Sequence, residues 1–78
     1  MAVVSALEFA QLERDSRHEH TRCTYSIIQS ANGERFLQLD TYGSAKREIP
    51  DKKSQSIRLT VAAIRQLMQV INEHNLAK

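Results

Sequence analysis

The chain has one cysteine, two glycines, one proline and no tryptophan in 78 residues. A lone Cys23 excludes an internal disulfide framework and fits a reducing compartment, so a cytoplasmic location is the expectation. With Gly33 and Gly43 as the only glycines, there is no glycine-rich loop to cradle a nucleotide phosphate. Residues 1–10 are apolar but contain Glu8, lack a basic leader and are too short to span a bilayer, so no targeting or membrane segment is expected. Neither charge dominates. Eleven Lys and Arg against nine Asp and Glu leave a net charge of +2, which excludes a basic tail or a histone-like composition. Any affinity for nucleic acid must therefore come from how the charge is arranged.

What is present is an ordinary globular balance, 41% hydrophobic and 26% charged, too even for disorder. Residues 1–78 are read as a single domain with no internal repeat and no dividing linker. A domain of this size buries little surface on its own, which makes a partner subunit expected.

Hydrophobic periodicity predicts an α+β fold: a small curved antiparallel sheet of about four strands followed by a C-terminal amphipathic helix. In the first segment Leu7, Phe9 and Gln11 alternate with Glu8, Ala10 and Leu12, read as a strand with a short helix as the alternative. Residues 14–20 contain no apolar side chain and read as an exposed turn. Residues 21–30 are β-branched and aromatic, with Cys23, Tyr25 and Ile27 on one face and Thr24, Ser26 and Ile28 on the other. Asn32-Gly33 is a strong hairpin signal, because both residues tolerate positive φ. The returning strand, residues 35–41, places Leu37, Leu39 and Thr41 toward the core and Phe36, Gln38, Asp40 and Tyr42 away from it. A basic loop over residues 45–55 leads to a short strand at 56–59. Thr60 is a natural N-cap for a helix marked by Ile64, Leu67, Met68 and Ile71.

These elements offer residues for three chemistries. His18, His20 and Cys23 are zinc-ligand types, but on a strand the two histidines share a face that Cys23 does not, and no fourth ligand has standard spacing. No metal site is expected. Cys23 reads as a buried structural thiol rather than a nucleophile, and nothing in the spacing of Asp40 and Asp51 requires a shared cleft, so no catalytic residue and no cofactor are expected. The third chemistry is phosphate binding. Lys46, Arg47, Lys52 and Lys53 fall within eight positions, Arg14, Arg17 and Arg22 form a second group, and Arg35 and Arg58 come from strands. The plainer reading of these charges is solubility, since Glu13, Glu19, Glu34, Glu48 and Asp51 are interleaved with them. Phe36 and Tyr42 supply the aromatic half of single-strand recognition, in which bases stack on flat side chains while cations hold phosphates. The same two rings equally suit a second apolar patch or a dimer contact. Asp40 on that face opposes phosphate unless an arginine neutralises it.

In the order of its elements, the stretch from Tyr25 to Ile71 resembles the positive cofactor four transcriptional coactivators and their bacterial relatives, small dimeric binders of single-stranded DNA. The resemblance runs through the Asn32-Gly33 hairpin, the strand Arg35-Phe36-Leu37-Gln38-Leu39-Asp40-Thr41-Tyr42, the Pro50-Asp51-Lys52-Lys53 loop, Ser56-Ile57-Arg58-Leu59 and the helix after Thr60. In that family a Pro-Gly-basic-basic loop precedes such a strand and helix, and Lys52 and Lys53 match the basic pair. Asp51 replaces the usual glycine, Ala31 and Asn32 stand where an aromatic and a lysine are common, Gly43 falls near a tryptophan position, and Asp40 stands where an arginine helps grip the strand. The resemblance implies a homodimer with helices packed across the two-fold axis and β-ridges holding nucleic acid.

The functional expectation is a non-enzymatic module for single-stranded DNA or RNA, an accessory to transcription or DNA metabolism, with no membrane association. Its expected contacts are Arg22, Arg35, Phe36, Tyr42, Lys46, Arg47, Lys52, Lys53 and Arg58. The alternative is an accessory subunit that uses the sheet and helix to bind another protein.

Overall fold

The computed structural model describes residues 1–16, 18–43 and 53–77. It is an α+β fold: β1 (Ala2–Val4), β2 (Cys23–Gln29), β3 (Arg35–Tyr42) and β4 (Lys53–Thr60) form one open sheet, and α1 (Val61–Glu73) follows. The sheet order is β1-β4-β3-β2. The β2-β3 and β3-β4 pairs are antiparallel, as periodicity predicts, but β1 runs parallel to β4, so the sheet is mixed rather than wholly antiparallel.

The first strand also differs in place. It is Ala2–Val4, paired with Ile57, Arg58 and Leu59, and the alternating residues 7–12 form neither strand nor helix. Instead Leu7 meets the helix: its N–H donates to Gln66 Oε1 at 2.8 Å, and Gln66 Nε2 donates to the Leu7 carbonyl at 3.1 Å. One side-chain amide thus satisfies both polar groups of one backbone residue, which a neighbouring strand would otherwise do.

The β2-β3 hairpin closes as expected, with one change of detail. Gly33 N–H donates to the Ser30 carbonyl at 3.0 Å and Gly33 alone in the turn has positive φ, at 89°. This is the three-residue hairpin in which only the last position is left-handed. Asn32 serves by its side chain, Oδ1 accepting from the Ser30 hydroxyl and from the Glu34 N–H.

The helix follows the sequence closely. Thr60 Oγ1 accepts from the Ala63 N–H at 3.2 Å, the expected N-cap. Its other end is a Schellman arrangement: Leu76 N–H reaches the Ile71 carbonyl, Asn75 N–H reaches that of Asn72, and Asn75 takes φ 54°. The helix contacts β4 and β3. Leu59 and Ala63 are the buried apolar residues among those described, with Leu37, Leu39, Ile64, Leu67 and Ile71 partly covered.

The leucine face is only partly a core. Tyr25 is 74% exposed and Ile27 59% on β2, and Met68 is 59% exposed on the helix. Cys23, expected to be buried, is exposed on that same face. The chain presents 7170 Å² to solvent, against about 4,800 Å² for a compact monomer of its mass.

Candidate functional site

Strand alternation and register assemble the other sheet face. On β3 it carries Phe36, Gln38, Asp40 and Tyr42; opposite them stand Ile28, Ser26 and Thr24 of β2 and Thr60, Arg58 and Ser56 of β4. Its centre is polar and covered. Asp40 is 2% exposed and Gln38 7%, more buried than the leucines that alternate with them.

That burial is tolerable because every polar atom there has a partner. Arg58 Nε donates to Gln38 Oε1 at 2.7 Å. Gln38 Nε2 donates to both Asp40 carboxylate oxygens, at 3.0 and 3.2 Å. The Ser56 hydroxyl donates to Asp40 Oδ1, and Lys53 Nζ lies 3.4 Å from Oδ2. Among the described residues no buried side-chain nitrogen or oxygen lacks a hydrogen bond, as burial in a low-dielectric setting demands. The Ser56 hydroxyl, then the Gln38 amide and the Lys53 ammonium, hold the Asp40 carboxyl below its ordinary range, outweighing the opposing effect of burial.

The aromatics flank this cluster, one on each side. Tyr42 lies under the Arg22 guanidinium, 4.3 Å from ring centroid to Cζ, and its hydroxyl shares a 3.1 Å hydrogen bond with Thr24 Oγ1. Its backbone is tied as well: Tyr42 N–H donates to the Arg22 carbonyl and Thr21 Oγ1 to the Tyr42 carbonyl. Phe36, at the other end of the row, has the Arg58 guanidinium 6.0 Å from its centroid. A groove of about 410 Å³ runs beside Phe36, between residues 33–36 of the hairpin and 60–62 at the helix start. Both rings are partly buried, and a guanidinium stacked on a ring is favourable in itself.

Of the nine expected contacts, the face gathers five: Arg22, Phe36, Tyr42, Lys53 and Arg58. Arg35 does not join them, because it sits an even number of residues from Leu37 and Leu39 and so projects from the leucine face. Lys46, Arg47 and Lys52 lie outside the described residues. The expected loop is shorter at its far end, since Lys53, Ser54 and Gln55 already belong to β4. The Asp40 charge is balanced by Lys53 and stabilised by the Ser56 hydroxyl and the Gln38 amide, and among the described residues it reaches arginine through Gln38.

Sequence reasoning missed Gln38, Ser56 and Thr24. A signal was available: Gln38 and Asp40 alternate with leucines on one strand while Ser56 and Arg58 alternate with Ile57 and Leu59 on the next, so both strands offer a polar stripe. Among the described residues no group of three or more His, Cys, Asp or Glu is placed to hold a metal ion. His18 lies 3.4 Å from Ser16 Oγ, and Cys23 Sγ points to the Thr24 carbonyl. No helix of the described residues is long and apolar enough to cross a membrane. Comparison with protein-family models, curated proteins and solved structures finds no match to this chain.

Proposed function

We propose that this chain is a non-enzymatic, cytoplasmic module that binds single-stranded nucleic acid, as an accessory to transcription or DNA metabolism akin to the positive cofactor four coactivators. The observation that carries the reading is one sheet face with two aromatics, Phe36 and Tyr42, at either end of the Gln38–Asp40 cluster and three cations, Arg22, Lys53 and Arg58, beside them. Cations hold phosphates and rings stack bases, a combination that favours a strand whose bases are free. A duplex hides its bases and offers this face only its backbone.

The opposite face supports a homodimer. Tyr25, Ile27 and Met68 present apolar surface that water solvates poorly, and a second copy is the partner always present at matching concentration. The same apolar side chains favour the second reading, a subunit that docks on a different protein. Measured mass in solution separates the two: a dimer at micromolar concentration supports self-association, and a monomer supports the heterologous partner.

The ligand is tested by titrating a labelled single-stranded oligonucleotide and its duplex in parallel. Tighter binding of the single strand is expected. Equal binding of the two, or none, overturns the proposal.

A further inference from the structure

The geometry points to Gln38 and Asp40 as positioning residues that orient the Arg58 guanidinium before any ligand arrives, so that its two terminal nitrogens form a bidentate seat for one phosphodiester beside Phe36. This rests on the single-strand reading above and assigns it an anchor.

The argument runs through Gln38. Its amide has a donor end and an acceptor end, and both are committed: Oε1 accepts from Arg58 Nε at 2.7 Å while Nε2 donates to both Asp40 oxygens. Turning the amide over would set its oxygen against a carboxylate and its NH₂ against a guanidinium, replacing attraction by repulsion at both ends. The Asp40 charge therefore fixes which way Gln38 points, and Gln38 fixes Arg58. The Ser56 hydroxyl and Lys53 hold Asp40 in turn. At 2% and 7% exposure neither Asp40 nor Gln38 presents its polar atoms to a ligand, which makes their effect indirect.

Arg58 is the outermost member of this chain of contacts. Of the five N–H donors of a guanidinium, only the one on Nε is engaged; the terminal nitrogens have no hydrogen bond among the described residues. Two parallel donors on a rigid plane match two phosphate oxygens, a geometry that lysine does not reproduce. A guanidinium already held in place forfeits less rotamer freedom on binding. With Phe36 6.0 Å from the Arg58 Cζ, the phosphate seat and the ring lie within one nucleotide's reach of each other.

A double-mutant cycle on the full chain tests this, with single-stranded oligonucleotide affinity as the readout and far-ultraviolet circular dichroism as the fold control. Gln38→Leu removes the orienting contacts while leaving every charge in place, and Arg58→Lys keeps the charge but removes the fork. Each is expected to weaken binding about tenfold, and the double variant is expected to bind no more weakly than Arg58→Lys alone, because Gln38 acts only through Arg58. Should Gln38→Leu not fold, Gln38→Asn takes its place in the cycle with the same expectation, since the side chain one methylene shorter cannot span Arg58 and Asp40 together and changes no charge. Effects that multiply in the double variant, or a folded Gln38→Leu with unchanged affinity, overturn the positioning role while leaving the single-strand reading intact. A wild-type protein that ignores the oligonucleotide overturns both.

Discussion

Lys53 reaches Asp40 across the β3-β4 pair at 3.4 Å, although a regular strand would aim it the other way. Residues 55, 57 and 59 of β4 face the leucine side, and strict alternation assigns Lys53 to that side too. The register shift beside Tyr42 changes this: Thr41 pairs with Gln55 but Tyr42 pairs with Lys53, skipping Ser54. One extra residue in β4 turns Lys53 onto the Asp40 face, the re-aiming that β-bulges commonly perform.

Lys53 then has a double role: its ammonium pairs with Asp40 while its side chain stays 56% exposed. Lys53→Gln is expected to lower the salt dependence of single-strand binding by about 0.7 in the slope of log affinity against log salt, the share of one phosphate. Anisotropy titrations at four salt concentrations check this. An unchanged slope removes Lys53 from the phosphate contacts.

Asp40 makes stability depend on acid pH with a definite sign. Its carboxyl titrates below the ordinary 3.8 in the folded chain, so its stabilising contribution is fully present above that value and is lost as pH falls through the folded value. The expected result is a gap in melting temperature between the wild type and Asp40→Asn that is constant from pH 7 to 5 and narrows below pH 4. Using the difference cancels the other carboxylates, and a gap that stays constant down to pH 3 contradicts the assignment.

Gly33 isolates a backbone effect. A Cβ added there meets nothing within 4 Å, yet the residue holds φ 89°. Gly33→Ala is therefore expected to destabilise by roughly 1–2 kcal/mol through the left-handed conformation alone. Urea unfolding measures it, and a loss below 0.5 kcal/mol, roughly the level of an ordinary surface change, goes against the strained turn.

Local features were legible in the sequence and long-range ones were not. The Thr60 cap, the Ile64–Ile71 periodicity and the Asn32-Gly33 turn are written within a few residues of one another, and the structure has all three. The parallel pairing of Ala2–Val4 with Ile57–Leu59 joins segments more than fifty residues apart, and three residues carry too little pattern to announce it. Alternation placed Phe36, Gln38, Asp40 and Tyr42 on one face, but not the register that sets Gln38 opposite Arg58 and Asp40 opposite Ser56. Without that register Asp40 looks like an obstacle to phosphate. With it, Asp40 becomes a neutralised anchor for the groups around it. The bulge at Lys53 was invisible for the same reason, since a single skipped residue leaves no compositional mark.

The central claim is that a cationic sheet face holds the backbone of a single strand, and salt dependence tests it most directly. With about three phosphates contacted, one for each of Arg22, Lys53 and Arg58, log affinity for a single-stranded oligonucleotide is expected to fall against log salt with a slope of about −2. A slope near zero, or no binding at low salt, contradicts it.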